Sequence, residues 1–580
     1  MNPLDPQQTA AVKTDSRRAL VLAGAGSGKT HVLIERIAYL TEECKVSPYE
    51  CMAFTFTRKA SGEIRNRLVD RIGNKAHRCA LGTMHALALS MINRFGEVIG
   101  LKSKAVTVYS DWEESFLLKD VALEMGLHSG KSWKIPKRDI DTVFNAYYQR
   151  GIEPTEESPV KDLFRAFIQR CRENNSLTYG GLLIGLRLLI PTLAKYLHVK
   201  HILVDEVQDI DRLQWAIILE MEKAFNASLF VVGDVDQSIY QWRGAAPKYL
   251  VDHQNEFDIF RLEFNYRSVP EIVSAANNLI EHNQDRITKT MKATRGGGVE
   301  SVIVRKDCDS AFIVDLLSDP WARSEPVAIL ARNHYLLEKI DRLMEEANIP
   351  HAYIGRNSAL TNSESFRRFH AFLKLIVNPY DNFSFLLIKD IVGITREEYG
   401  RIRVQAAEAG NSHFLVWLDT DHTGAPALFV GDEVVWNLND TCEGIMDRYP
   451  SLSPESAAFI NSWDADRTGN ETIVDYLTWL ATYEVHDEMK EDQAGITLMT
   501  IHTAKGLEWP VVIVAGCNEG IIPSKQAIGA VDLESERRLM YVAMTRAKDQ
   551  LILTVRPETS ESNGRIYQSP VSRFIAESSL

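Results

Sequence analysis

Short uncharged apolar runs alternate along the chain with longer stretches in which apolar residues recur at helical spacing. ALVL at 19–22, HILV at 201–204 and SLFVV at 228–232 read as buried strands, whereas VLIERIAYL at 32–40 and SDWEESFLLKDVALEM at 110–125 read as helices. Strands that are apolar on both faces and separated by helices predict an α/β fold with a parallel sheet covered on both sides. Ligands are then expected at the C-terminal ends of the strands, where the polar clusters follow the apolar runs.

The first such cluster is Ala23-Gly24-Ala25-Gly26-Ser27-Gly28-Lys29-Thr30, between a strand and a helix. Glycines let backbone N–H groups close around phosphates, and the helix start favours their negative charge. Lys29 then reaches the β- and γ-phosphates, and Thr30 is a ligand for Mg2+. Ala23 stands where the strict pattern has glycine. The second strand ends in Asp205 and Glu206, whose side chains diverge, so Asp205 is assigned to Mg2+ and Glu206 to activation of the attacking water. The third strand runs into Gly233-Asp234-Val235-Asp236-Gln237.

With these residues in hand the chain resembles the UvrD/Rep-type helicases of superfamily 1A. LDPQQTAAV, FTFTRKASGEIRNRL, GTMHALA, VDEVQDID, GDVDQSIYQWRGA, EFNYRS, LARN, LMTIHTAKGLEWPVVIVAG and ESERRLMYVAMTRAKDQLIL carry the resemblance, in order. It implies two RecA-like parallel-sheet motor domains in tandem, each with a mainly helical insertion, and ATP and Mg2+ as nucleotide and metal. By this resemblance Gln8 reads adenine, Arg36 and Tyr266 pack near the nucleotide, and Glu508 lies close to it. Gln237 senses the γ-phosphate, and Arg267 and Arg546 are γ-phosphate arginines. Phe56, Thr83, His85, Tyr240, Trp242, Arg243 and His502 fall in the DNA-side motifs. Taken without the resemblance, Phe56 also reads as a core aromatic and Arg267 as a surface arginine.

The spacing of the motifs divides the chain. The first motor domain is expected at 1–90 and 191–260 with an insertion at 91–190, and the second at 261–375 and 491–580 with a reduced insertion at 376–490. The activity implied is ATP-dependent translocation on single-stranded DNA and 3′ to 5′ unwinding at single-strand/duplex junctions. The alternative is a DNA-stimulated ATPase or sensing subunit that needs a partner such as a nuclease. RPETSESNGRIY near the C-terminus motivates that alternative: the family makes a strand-splitting hairpin there, and here Thr559 to Gly564 form the apparent turn without an aromatic, Tyr567 lying on the returning strand.

Charge modifies this picture. The 580 residues carry 65 Lys+Arg and 78 Asp+Glu, a net −13. Residues 421–493 hold 16 acids and 3 bases, so the whole excess lies in the second insertion and the motor portions are neutral. That segment is expected to repel duplex and to contact protein. Residues 128–151 are locally basic with Trp133, Phe144, Tyr147 and Tyr148 interleaved, either a seat for a nucleic-acid strand or a solvated helix face over core aromatics. Seven scattered cysteines suggest no metal or disulfide framework. No run of about 18 apolar residues occurs and the first residues lack a signal-peptide pattern, so a cytoplasmic protein without a membrane partner is expected.

Overall fold

A computed structural model describes residues 3–102, 106–245, 247–298, 300–319, 325–354, 363–419, 438–452, 472–481, 495–525, 527, 533–557, 559–562 and 565–580. They fall into two compact units. One comprises 1–83, 197–356 and 484–580, the other 84–196 and 357–483.

The first unit contains two six-stranded parallel sheets, as expected. In the first sheet β1 (Arg18–Ala23), β2 (Cys51–Thr55), β3 (Ala80–Thr83), β4 (His201–Val204), β5 (Ser228–Gly233) and β6 (Asp258–Leu262) lie in the order β3-β2-β4-β5-β1-β6. In the second, β7 (Val302–Arg305), β8 (Val327–Ala331), β9 (His351–Tyr353), β10 (Ile496–Thr500), β11 (Trp509–Ala515) and β12 (Ala547–Thr554) lie in the order β7-β12-β11-β8-β10-β9. Every neighbouring pair is parallel. The strands are short apolar runs because helices cover both faces, leaving no solvated side on which polar residues would alternate. Thus Val21, Ala53, Leu203 and Val232 bury against the helices Lys29–Glu42 and Arg58–Ile72. Ala328, Val512 and Leu551 do the same against Pro270–Ile280 and Leu533–Met544.

Among its described residues the helical unit has two aromatic-rich cores. One gathers Tyr109, Leu117, Phe144, Phe164 and Phe167 and extends to Phe383; the other gathers Phe366, Phe372, Phe385, Trp417 and Tyr476. The helix Glu364–Val377 belongs to this unit because its apolar face lies in the second core. Hydrogen bonds and an ion pair join the two insertions inside it: Tyr109 donates to Asp381 at 2.7 Å, Asn378 to Thr107 at 2.8 Å, and Lys374 to Glu113 at 2.5 Å. Phe144 and Tyr147 are core residues of the helix Lys137–Arg150, and its exposed Lys137 pairs with Asp141 four residues on. The interleaved aromatics are therefore core, and the solvated-face alternative describes this helix.

The strands Thr559–Ser562 and Arg565–Gln568 pair antiparallel, so the turn is narrower than the sequence suggested and Thr559 to Ser562 form the outgoing strand. Most of the acidic stretch 421–493 lies outside the described residues. Among the described residues no helix is long and apolar enough to cross a membrane.

Candidate nucleotide and DNA-side sites

The phosphate loop leaves β1 and enters the helix Lys29–Glu42 through Gly26 and Gly28, at φ 68° and 83°. Both lie in the left-handed region that glycine tolerates and that a side chain resists. Ser27 donates through Oγ to the Gly24 carbonyl at 2.8 Å and closes the turn. Lys29 Nζ lies 3.1 Å from Glu206 Oε2 and 3.3 Å from Gln237 Oε1, so these three residues named from sequence meet at one point.

Asp205 and Glu206 follow β4 directly. Glu206 adopts φ 48°, ψ 43°, a left-handed conformation that costs a non-glycine residue of order 1–3 kcal/mol and turns its carboxylate towards Lys29. Burial and the charge of Glu206 push the Asp205 carboxyl up to about 7. Burial also opposes ionisation of Glu206, but Lys29 and Lys505 outweigh it and hold that carboxyl low. Among the described residues no group of three or more His, Cys, Asp or Glu side chains forms a metal cage. Mg2+ needs no such cage: it binds through few protein oxygens, a carboxylate such as ionised Asp205 among them, and completes its shell with phosphates and water.

The opposite wall comes from segments around the second sheet. Asn265 donates to the Ala25 carbonyl at 2.7 Å and the Tyr266 amide to the Gly26 carbonyl at 2.9 Å. A Cβ on Gly26 would stand 2.6 Å from Arg267 Cβ, and one on Gly24 would collide with the thioether of Met291. Arg267 donates through Nε to Glu508 at 2.5 Å and through Nη1 to the Thr545 carbonyl at 3.0 Å. Arg546 is buried and donates to the carbonyls of Val542 and Leu507 and to Thr545 Oγ1. Burial, reinforced by Arg267, lowers its guanidinium to about 9. Both arginines named from sequence thus sit on the far wall, occupied by protein partners.

Gln8 is bonded at both ends of its amide, to the Asp5 N–H at 3.1 Å and to the Ser27 carbonyl at 3.0 Å. Tyr266 donates to Asp5 at 2.6 Å. Arg36 departs from its expected place. Its guanidinium is buried over Phe230 and donates to the carbonyls of Val12 and Thr14, because it lies on the side of its helix that faces the sheet. His31, in the first turn of the same helix, lines a pocket of about 560 Å³ with Pro3, Leu4 and Glu35.

At the strand ends farther along, Phe56 stacks on Tyr240 at 5.0 Å, and Trp242 meets His502 edge-on at 6.1 Å. Trp242 is 66% exposed, whereas Tyr240 is 3% exposed and donates to the His502 carbonyl at 3.1 Å. Tyr240, expected from the resemblance to face a strand, has its ring in the core around the second sheet. Thr83 is buried at the end of β3. His85, in the helical unit, stacks on Tyr179 at 4.0 Å, and burial lowers its imidazole to about 4. The side chain of Arg243 lies outside the described residues.

These are the parts of a two-walled nucleotide cleft, and sequence comparison names their family. The profile described as the UvrD/REP helicase N-terminal domain matches residues 4–258, and that of the UvrD-like helicase C-terminal domain matches 260–419 and 458–558. The chain belongs to the UvrD/REP helicase family. It is 30% identical to the ATP-dependent DNA helicase PcrA of Bacillus subtilis, with all of this chain and 86% of the relative aligned. It is equally 30% identical to UvrD1 of Mycobacterium tuberculosis, over all of this chain and 85% of that helicase. ATP-dependent DNA helicases hydrolyse ATP, and this family member is accordingly an ATP-hydrolysing enzyme that acts on DNA.

Several residues of the cleft were not singled out from sequence. Lys505 forms an ion pair with Asp209 and donates to the Gln237 carbonyl at 2.7 Å. Its signal was its place three residues after His502. Lys289, Arg286, Met291 and His31 gave no signal, since a single cation, thioether or imidazole in a mixed stretch marks nothing until the fold brings it to the site.

Proposed function

We propose that this UvrD/REP family member is a single-stranded DNA translocase that moves 3′ to 5′ and unwinds duplex at junctions. The observation that carries this reading is the shortness of the link between the two sites. One segment, 234–242, holds Gln237 against Lys29, then Tyr240 against His502, then the exposed Trp242. A change at the phosphates is thereby five residues from the exposed Trp242 ring. The polarity is carried over from the family resemblance.

In the hydrolytic step Glu206 accepts the proton of the attacking water while Lys29 and Gln237 face the γ-phosphate. Thr30 and Asp205 are the residues that would hold Mg2+, which when bound supplies charge to the phosphate oxygens. Arg267 and Arg546 exchange their present protein partners for the transferring phosphate, stabilising its charge only when both walls close on it. Gln8, Tyr266 and the pocket beside His31 receive the base. Trp242 and His502 take the DNA strand, and the acidic segment 421–493 serves as a protein-contact surface that disfavours duplex.

A forked duplex assay with the purified chain and ATP tests the proposal. Unwinding of a substrate with a 3′ tail and little action on a 5′ tail is the expected result. ATP hydrolysis on single strands with no unwinding of either substrate would replace it with a partner-dependent motor.

A further inference from the structure

The Gln237 side chain is held from behind by a buried relay that starts outside every motif. Gln237 donates through Nε2 to Asp234 Oδ2 at 2.5 Å, which leaves its amide oxygen directed at Lys29 Nζ, 3.3 Å away. Asp234 is fully buried, accepts the Asp236 N–H at 3.0 Å, and is paired by the Lys289 ammonium, which also donates to Asp236 at 2.6 Å. Arg286 donates to Asp236 from the same stretch at 2.9 Å. Three residues after Arg286 comes Lys289, and two further on Met291 packs against the phosphate loop at Gly24. The Lys292 amide then donates to the Glu263 carbonyl at 2.7 Å, where Lys292–Ala293 pairs with the strand Phe264–Asn265 that leads to Arg267.

We infer that Lys289 is a positioning residue for ATP hydrolysis, acting through Asp234 to keep the oxygen end of the Gln237 amide towards Lys29 and the water that attacks the γ-phosphate. This rests on the reading of Gln237 as the γ-phosphate sensor. The chemistry is that of an amide with one donor end and one acceptor end. An ionised carboxylate only accepts, so Asp234 selects the NH2 end of Gln237 and presents the oxygen to Lys29. A buried carboxylate without its cation takes up a proton and becomes a donor. It then selects the oxygen end and turns the NH2 towards Lys29, where donor opposes donor and the attacking water loses its acceptor. The titratable and charged groups around Asp234 are Lys289, Lys29, Asp236 and Tyr541, with Arg286 and Arg538 on the far side of Asp236 and Lys505 against the Gln237 carbonyl. Burial opposes the Asp234 charge, and Lys289 and Lys29 overcome that opposition and hold the carboxyl below its ordinary range.

The experiment measures DNA-stimulated ATP hydrolysis of the full chain from pH 6 to 9 for Lys289→Met, Lys289→Arg, Gln237→Ala and the double variant Lys289→Met with Asp234→Asn. Lys289→Met is expected to lower kcat by roughly ten- to a hundredfold with KM for ATP within about threefold, the pattern of an interaction made in the transition state. The ratio of its kcat to that of the unaltered protein should rise with pH, as Asp234 regains its charge. Lys289→Arg should restore most of the rate. The double variant carries an amide in place of the Asp234 carboxylate, which accepts through its oxygen without titrating. It should be faster than Lys289→Met and show a ratio independent of pH. A pH-independent loss in Lys289→Met, a KM that rises as much as kcat falls, or an unchanged kcat overturns the inference. If Lys289→Met does not fold, the double variant, which buries no unpaired charge at this position, decides: a kcat as low as that of Gln237→Ala overturns the inference, and one within about tenfold of the unaltered protein supports it. Gln237→Ala separates the two levels of argument. If it hydrolyses ATP normally the sensor reading falls and this inference with it, whereas a slow Gln237→Ala beside a normal Lys289→Met removes Lys289 alone.

Discussion

Arg267 donates to Glu508 at 2.5 Å, so the arginine that stands over the phosphate loop is held by a carboxylate from the segment between β10 and β11. Burial raises that carboxyl, but Arg267 and Lys548 together bring it down to about 2. A depressed carboxyl contributes stability that is complete above its ordinary value near 4.5 and is lost as the pH falls towards the folded value. The difference in Tm between the unaltered protein and Glu508→Gln should therefore be largest above about pH 5 and shrink as the solution is acidified towards about pH 3. A difference that stays constant over that range would show that Arg267 does not act on Glu508 as a charge.

In the proposed hydrolytic step Glu206 takes the proton of the attacking water, and its strained backbone aims it at Lys29. Glu206→Gln keeps the size of the side chain and removes its capacity to take a proton. ATP and single-stranded DNA should still bind with affinities within a few-fold, while kcat falls by about 10² to 10⁴. Single-turnover hydrolysis alongside equilibrium binding of a fluorescent nucleotide makes the comparison, and a near-normal hydrolysis rate would transfer the role to another group.

The first sheet and the phosphate loop were legible because each depends on a local pattern, an apolar run for a strand such as β1 and glycines at 26 and 28 for a backbone that must turn left-handed, whereas the second sheet was expected from the family resemblance. The opposition of Lys29, Glu206 and Gln237 was legible too, since a parallel sheet brings its strand ends to one edge. What escaped the sequence is orientation about an element axis and contact across long separations. Arg36 was placed at the nucleotide, but it lies on the buried side of its helix, while His31 in the first turn opens onto the pocket. Tyr240 and Trp242 are two residues apart and read alike, yet one is core and the other solvent-facing because the short 3-10 turn Gln241–Arg243 intervenes. Lys289 meets Asp234 across more than fifty residues of chain, and no periodicity announces that.

Lys505 joins the two walls of the cleft through its ion pair with Asp209 and its bond to the Gln237 carbonyl. Both charges are buried, so Lys505→Met leaves Asp209 without a counter-charge, a defect that typically costs about 3–5 kcal/mol. Adding Asp209→Asn removes the stranded charge and should recover much of that loss in a denaturation experiment. DNA stimulation of hydrolysis should not recover with it, because the bridge between the walls is still missing. Recovery of stability and stimulation together would make the pair structural only.

The contrast between Tyr240 and Trp242 separates a stacking platform from a core aromatic. Trp242 is 66% exposed and meets the edge of His502, so Trp242→Ala should leave the melting temperature nearly unchanged. Its ring is open to stacking on a base, worth about 1–3 kcal/mol, so affinity for single-stranded DNA should drop by roughly five- to 150-fold. DNA-stimulated hydrolysis should fall at sub-saturating DNA. Tyr240→Phe, by comparison, keeps the stacked contact with Phe56 and removes the bond to the His502 carbonyl. Stability should then fall by about 0.5–1.5 kcal/mol, the net worth of a neutral hydrogen bond, with DNA affinity changed little. Measuring Tm and DNA affinity for both variants assigns each ring its role. Equal losses of affinity in the two would mean that Tyr240 leaves the core to reach the strand, and the distinction drawn from burial would not hold.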